Sequence, residues 1–209
     1  MTDTTGQAGL RERKKARTRA SLREHALRLF REQGYQATTV EQIAAAAEVS
    51  PSTFFRYFPT KEDVVLQDDM DIRMLEALAR QPRELAPIAA VREAMRETWT
   101  SFTPAEWAQL REGGRLSQEV PEVRARTINE FARLINAFAE AIATRTGRPP
   151  DDLRVRVLAG AIIGVMMSIF LPEHLDPGEN LDLDRPPFGP QSVGRIDEAL
   201  ALLEQGLPL

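Results

Sequence analysis

The sequence predicts an all-α protein, and three observations support this prediction. Apolar residues recur at the three- and four-residue spacing of an amphipathic helix along most of the 209 residues. The strict apolar–polar alternation typical of half-buried strands is nearly absent. Helix start signals are frequent, namely serine or threonine caps and prolines at the first helical position. Together these patterns predict about nine helices, no strands and no internal repeat.

Composition limits the class of protein. The chain contains no cysteine, which excludes disulfides and thiolate metal sites. Its first ten residues are polar and lack the apolar stretch of a signal peptide. The longest apolar run, residues 157–171, is shorter than the roughly 20 residues of a membrane span. We therefore expect a cytoplasmic protein that makes no contact with a membrane.

The first 65 residues differ in charge from the rest of the chain. They hold 11 Lys/Arg against 8 Asp/Glu, a net +3, whereas residues 66–209 hold 16 against 23, a net −7. Six cations fall between Arg11 and Arg19 alone. Such a run suits an arm that lies along phosphates, and the alternative is a solvated, charged helix start.

Residues 38–61, TTVEQIAAAAEVSPSTFFRYFPTK, predict two short helices joined by a tight turn at residues 47–49. The first helix begins at a capping box, formed either by Thr38 with Glu41 or by Thr39 with Gln42. The second begins at Ser50-Pro51 and is ended by Pro59 after about two turns. It starts with small residues and carries the adjacent pair Arg56-Tyr57. This is the arrangement of a helix-turn-helix whose second helix enters the major groove of DNA.

The segment from Leu22 to Val64 resembles the DNA-binding domain of the TetR/AcrR family. The matching residues are Ala26-x-x-Leu29-Phe30-x-x-x-Gly34-Tyr35, Thr38-Thr39-Val40-x-x-Ile43-Ala44, Val49-Ser50-x-x-Thr53-Phe54-Phe55-x-Tyr57-Phe58 and Lys61-Glu62. The resemblance implies that Phe54 and Phe58 are core residues. Together with the basic run, it implies binding to double-stranded DNA through Arg11, Lys14, Lys15, Thr39, Ser52, Thr53, Phe55, Arg56, Tyr57 and Lys61.

Two residues depart from the family pattern. Glu48 stands in the turn where many family members have glycine, so either Glu48 adopts an unusual backbone conformation or the turn differs locally. Phe55 stands where tyrosine is common. Phenylalanine cannot donate a hydrogen bond to a phosphate, which makes a thymine methyl its expected contact.

The remaining segments predict further helices. Thr60 is expected to cap a long helix over residues 61–81, and an apolar stripe follows over residues 88–102. Thr103-Pro104 starts a helix that Gly113-Gly114 ends or breaks. A long helix after Pro121 ends at Gly147, and Asp151 and Asp152 then lie in the first turn of an apolar helix. Residues 172–190 are expected to be a loop, and the last amphipathic helix carries Val193, Ile196, Leu200 and Leu203.

These segments predict three regions: a disordered tail over residues 1–9, a helix-turn-helix domain over 10–65, and a ligand-binding and dimerisation domain over 66–209. Family members dimerise through their last two long helices, so the resemblance implies a homodimer. Gly160 and Gly164 lie four residues apart and share a helix face, which allows close approach either of a partner or within the chain. The expected dimer residues are Gly160, Gly164, Ile196, Leu200 and Leu203.

Bulky apolar residues in the larger domain are candidates for an effector cavity, the alternative being ordinary core. They are Met95, Trp99, Phe102, Trp107, Phe131, Phe138, Met166, Met167 and Phe170. Residues 50–63 also look like a subgroup similar to mycofactocin-linked regulators, which respond to long-chain acyl-CoA. The expected effector is therefore small and hydrophobic, with acyl-CoA as a candidate.

The expected function is ligand-responsive transcriptional regulation, most simply repression at a pseudo-palindromic operator. His25 and His174 are isolated from each other and from other metal ligands, and no nucleophile stands in a recognisable catalytic setting. We expect no enzymatic activity and no cofactor. The alternative function is a helical ligand-binding or adaptor protein without DNA binding.

Overall fold

A computed structural model describes residues 4–66, 68–170 and 190–207 of the chain. These residues form nine α-helices and one short 3₁₀ helix, and they contain no strand, so the all-α prediction is confirmed. The chain divides into two compact units, Met1–Leu66 and Gln67–Leu209. Nearly all of the expected loop over residues 172–190 lies outside the described residues.

The first unit contains α1 (Thr4–Gln33), α2 (Val40–Ala46), α3 (Pro51–Tyr57) and the 3₁₀ helix (Glu62–Val64). α1 begins at Thr4, so residues 4–9 are helical, whereas the sequence places them in a disordered tail. No proline separates them from the basic run, and the helix therefore continues through them. Residues 1–3 lie outside the described part of the chain.

The single long helix expected over residues 61–81 is wrong. Its first turn is the 3₁₀ helix, and the next helix begins only at Asp68. The reason is the buried Arg23 of α1, which donates hydrogen bonds to the carbonyls of Val65, at 2.7 Å, and of Leu66. A continuing α-helix would need those two carbonyls to accept from its own following turn.

The second unit contains α4 (Asp68–Arg80), α5 (Pro87–Thr100), α6 (Pro104–Glu119), α7 (Pro121–Thr146), α8 (Leu153–Phe170) and α9 (Pro190–Glu204). α6 begins at a capping box between Thr103 and Glu106, as the sequence predicts. α7 ends at Gly147, whose φ of 67° is left-handed. Asp152 precedes α8 rather than lying in its first turn, and its side chain accepts from the N–H of Arg154 at 2.8 Å.

The expected break at Gly113-Gly114 is wrong, because α6 runs through both glycines. Glycine costs about 1 kcal/mol in a helix interior relative to alanine, which tertiary packing readily exceeds. Leu110 and Leu116, on either side of the pair, are both buried.

α7 and α8 pack against each other in the second unit, and α5 and α9 complete one continuous core with them. α8 is 18 residues long, which is longer than the apolar run suggests, and by length and composition alone it could cross a membrane. Its residues Ile162, Ile163 and Met166 are buried in the shared core. The inward face of this helix is apolar because it packs in the core.

Candidate nucleic-acid interface and effector region

α2 starts at a capping box formed by Thr39 and Gln42. The Thr39 hydroxyl accepts the N–H of Gln42 at 3.2 Å, and the Gln42 side chain accepts the N–H of Thr39 at 2.9 Å. Thr38 is buried and donates its hydroxyl to the carbonyl of Gly34 at 2.8 Å. Of the two boxes that the sequence allows, the structure therefore has the one centred on Thr39, whose side chain is exposed.

The turn between α2 and α3 depends on Glu48, whose φ of 55° is left-handed. The N–H of Glu48 donates to the carbonyl of Ala45 at 3.1 Å, and the N–H of Val49 donates to that of Ala44 at 2.9 Å. This is the left-handed ending of a helix that glycine usually provides. Of the two alternatives from the sequence, Glu48 adopts the unusual backbone conformation.

α3 has one buried face and one exposed face. Phe54 and Phe58 are almost completely buried, as expected of core residues. Ser52, Phe55 and Arg56 are exposed, while Thr53 and Tyr57 are half-buried. The Ser50 side chain caps the helix by accepting the N–H of Thr53 at 3.2 Å. The exposed face therefore offers a hydroxyl, an aromatic ring and a guanidinium.

Lys61 has a role that the sequence does not reveal. Its ammonium donates to the carbonyls of Tyr35 and Thr38, at 3.0 and 3.1 Å, and lies 4.0 Å from the centre of the Tyr35 ring. The Tyr35 hydroxyl in turn donates to Glu62. Burial raises the pKa of Glu62, but this hydrogen bond and others outweigh it, so the pKa lies below its ordinary value. Lys61 thus stabilises the connection between α1 and α2 by these two hydrogen bonds.

The basic residues in the first half of α1 differ in what they contact. Arg11, Lys14 and Lys15 are exposed, and their spacing places them on one face of the helix. Arg19 instead donates to the carbonyl of Tyr57 at 3.2 Å and lies 4.5 Å from the centre of the Phe58 ring. Arg19 therefore ties the end of α3 to α1.

In the second unit, all nine effector candidates belong to one apolar cluster. Six are buried in it, namely Met95, Trp99, Phe131, Phe138, Met166 and Phe170. Phe102, Trp107 and Met167 are partly buried against it, and the rings of Phe102 and Trp107 lie 5.2 Å apart. Met95 and Trp99 also line a small cleft between α5 and α9, whose other lining residues are Arg92, Arg96, Val193, Asp197 and Leu200.

The residues expected at the dimer interface differ in exposure between α8 and α9. Gly164 is exposed and Gly160 half-buried on α8, and a Cβ added at either glycine would meet no neighbouring atom within 4 Å. Ile196 and Leu200 are 0% exposed within the core of their own unit, so their assignment to an interface is wrong. Leu203 is half-buried against the same core. The apolar stripe of α9 packs inside the unit.

No group of three or more potential metal ligands occurs among the described residues. His25 lies 3.4 Å from the Arg28 side chain in α1, and His174 lies outside the described residues.

Comparisons with known proteins cover both units. Residues 22–67 match the family described as bacterial regulatory proteins, tetR family, and residues 85–208 match the MftR C-terminal domain. The transcriptional regulator TcmR of Streptomyces glaucescens is 38% identical over 157 residues, which cover 71% of this chain and 69% of TcmR. The mycofactocin biosynthesis transcriptional regulator MftR of Mycobacterium tuberculosis is 24% identical, over 82% of this chain and 86% of MftR.

A solved structure is similar over nearly the whole chain. Thermus thermophilus FadR, a TetR-family transcriptional repressor in complex with lauroyl-CoA, superposes with a TM-score of 0.55 and 25% identity. The match covers 91% of this chain and 95% of FadR. The families and relatives matched are regulators of transcription and not enzymes. This chain therefore belongs to the TetR family of bacterial transcriptional regulators.

Proposed function

We propose that this protein is a repressor that binds a pseudo-palindromic operator as a homodimer and leaves it when a hydrophobic, acyl-type effector binds. The observation that carries the proposal is the exposed face of α3. Phe54 and Phe58 fix the helix from one side, which leaves Phe55 and Arg56 free to enter a major groove from the other. A bacterial regulator of this kind acts on chromosomal DNA in the cytoplasm.

The first unit has the charges that duplex binding needs. Arg56 is exposed and suits bidentate contact to a guanine, while Arg11, Lys14 and Lys15 form an exposed basic face that suits phosphates. The hydroxyls of Thr39, Ser52, Thr53 and Tyr57 are further candidates for contacts to the DNA.

Fluorescence anisotropy with labelled duplexes from the region upstream of the protein's own gene tests DNA binding. Arg56→Ala should weaken specific binding by about 1–3 kcal/mol if Arg56 binds a guanine. The matched control is Arg31→Ala, which removes the same charge from the exposed end of α1. Each neutralised phosphate should add about −0.9 to the slope of log K against log salt. Equal affinities for Arg56→Ala and wild type would contradict the assigned face.

The homodimer is supported by the outward face of α8. Leu153 and Val157 are 76% and 62% exposed, and Gly160 and Gly164 lie further along the same face with open space beyond them. Large exposed apolar side chains beside glycines suit close packing against a second helix. Two recognition helices would then read half-sites about 34–36 Å apart, or a multiple of this distance.

The effector is supported by the apolar cluster of the second unit and by the relatives. FadR binds lauroyl-CoA, and MftR shares this chain's C-terminal domain type. Binding can release DNA only if the effector has different affinities for the two states of the dimer. A tenfold loss of operator affinity corresponds to about 1.4 kcal/mol of coupling.

Titration of acyl-CoA of graded chain length into the preformed complex tests the effector. We expect DNA release together with a change in the fluorescence of Trp99 and Trp107, the only tryptophans. Free CoA is the control for the headgroup. If the protein bound acyl-CoA but no DNA, the result would instead support the alternative function, that of a ligand-binding or adaptor protein. No response to any chain length would contradict an acyl effector and leave the DNA-binding proposal intact.

A further inference from the structure

Phe55 is an unusual surface residue. It is 51% exposed, and among the described side chains of the first unit it is the only large apolar one that is exposed. Its ring meets the buried Phe54 ring edge to face, at 5.5 Å and an interplanar angle of 87°. Because this contact fixes one edge of the ring, the phenyl group is presented in a defined position. A single exposed apolar side chain is ordinary by itself, and what suggests a binding role here is its place beside Arg56 on the exposed face of α3.

The polar side chains near Phe55 contact one another. The Ser50 hydroxyl lies 2.8 Å from that of Ser52 and 2.9 Å from that of Thr53, so these three hydroxyls bond to one another at the start of α3. The Arg56 guanidinium lies 5.4 Å from the centre of the Tyr57 ring. Phe55 and Arg56 are both exposed beside this cluster of hydroxyls.

A phenyl ring has a narrow choice of partners on duplex DNA. It carries no donor for a phosphate oxygen and no acceptor for a base amine. The apolar group that B-DNA presents in its major groove is the C5 methyl of thymine. We infer that Phe55 contacts a thymine methyl in each operator half-site and thereby selects thymine at that position. This inference rests on the proposed placement of α3 in the major groove, and it adds a base preference to that placement.

Deoxyuridine provides the test, because it differs from thymidine in the base only by lacking the methyl. A series of operator duplexes is prepared from one that wild type binds. In each duplex, one thymine position is replaced by deoxyuridine, at the equivalent place in both half-sites. At one thymine per half-site we expect wild-type affinity to fall about threefold to fourfold for each methyl, as expected from burial of one carbon. Phe55→Ala should bind the thymine operator more weakly and lose the response to deoxyuridine at that position.

The double-mutant cycle between Phe55 and the methyl separates direct contact from changes in DNA flexibility. Phe55→Leu should keep part of the thymine preference, and Arg31→Ala, a control at an exposed position of α1, should keep all of it. Phe55→Ala should lose no more than about 1.5 kcal/mol of stability, the value of its ring contact with Phe54, and should remain folded under the binding conditions. If no thymine couples to Phe55 although wild type still binds the operator, this inference is wrong and the proposed function remains. If wild type binds no duplex, both are wrong.

Discussion

The guanidinium of Arg92 in α5 donates two hydrogen bonds to the carboxylate of Asp197 in α9, at 2.9 and 3.1 Å. The remaining nitrogen of the guanidinium donates to the carboxylate of Glu204 at 2.9 Å. These bonds lower the pKa of Asp197, chiefly through the hydrogen bond from Arg92, and they raise the pKa of Arg92. A charged contact thus joins the last helix to the rest of the second unit at the edge of the small cleft.

The first prediction is that this contact is sensitive to acid. The pKa of Asp197 lies below its ordinary value of 3.8 in the folded protein, so the contact contributes fully above that value and is lost as the pH falls through the folded pKa. Because both side chains are partly exposed, we expect Asp197→Asn to lower the free energy of unfolding by about 1 kcal/mol at pH 7. The difference from wild type should shrink as the pH falls below the ordinary value of 3.8.

Urea unfolding at pH 7 and at low pH measures this effect. The control is Glu198→Gln, which removes an exposed carboxylate from the next residue of α9 and should change the midpoint little. A difference for Asp197→Asn that does not depend on pH would contradict the assignment.

The second prediction concerns Lys61. Its ammonium bonds two carbonyls of the α1–α2 connection, so Lys61→Met should destabilise the first unit by about 1–2 kcal/mol and also weaken DNA binding. Lys15→Met removes an exposed charge from α1 and should reduce the salt slope of DNA binding without lowering stability. Thermal unfolding measures the stability of the two variants, and fluorescence anisotropy measures their DNA binding. Unchanged stability in Lys61→Met would show that these bonds contribute little.

The third prediction concerns the turn. Glu48 has a left-handed backbone that costs a non-glycine residue about 1 kcal/mol, so Glu48→Gly should maintain or raise stability despite the greater freedom of glycine when unfolded. Glu41→Gly, the same substitution within α2, should lower it by about 1 kcal/mol. Urea midpoints of the two variants give the comparison. Equal losses in both would mean that the turn carries no strain.

The fourth prediction concerns association. Gly164→Leu has room within its own chain, so the variant should fold as well as wild type but fail to pair if α8 forms the dimer. Ala132→Leu, at an exposed position of α7, should leave association unchanged. Light scattering at micromolar concentration gives the mass of each protein. A monomeric wild type, or a dimeric Gly164→Leu, would contradict the proposed seam.

The sequence predicts the features that depend on neighbouring residues. Caps at Ser50 and Thr103 mark their helix starts correctly, and the Thr39 box is one of the two that the sequence allows for α2, because capping uses residues only three positions apart. The family pattern correctly identifies Phe54 and Phe58 as core residues.

Features that depend on distant residues are missed. The partners of Arg19 and Arg23 lie 38 and more residues away, and no local pattern indicates them. The apolar stripe of α9 fits either a partner or its own core, and only the packed structure shows that Ile196 and Leu200 face inwards. The unusual backbone of Glu48 could be anticipated only from the family pattern, in which glycine is usual at this position.

Arg23 also determines where the DNA-binding unit can be separated from the rest of the chain. A recombinant fragment ending at Leu66 keeps the two carbonyls to which this buried guanidinium donates. A fragment ending at Val64, the last residue of the 3₁₀ helix, lacks both, although it contains every helix of the unit. Loss of two hydrogen-bond acceptors of a buried guanidinium should destabilise the unit. A boundary after Leu66 therefore preserves contacts of a side chain of the first helix that the end of the last helix does not indicate.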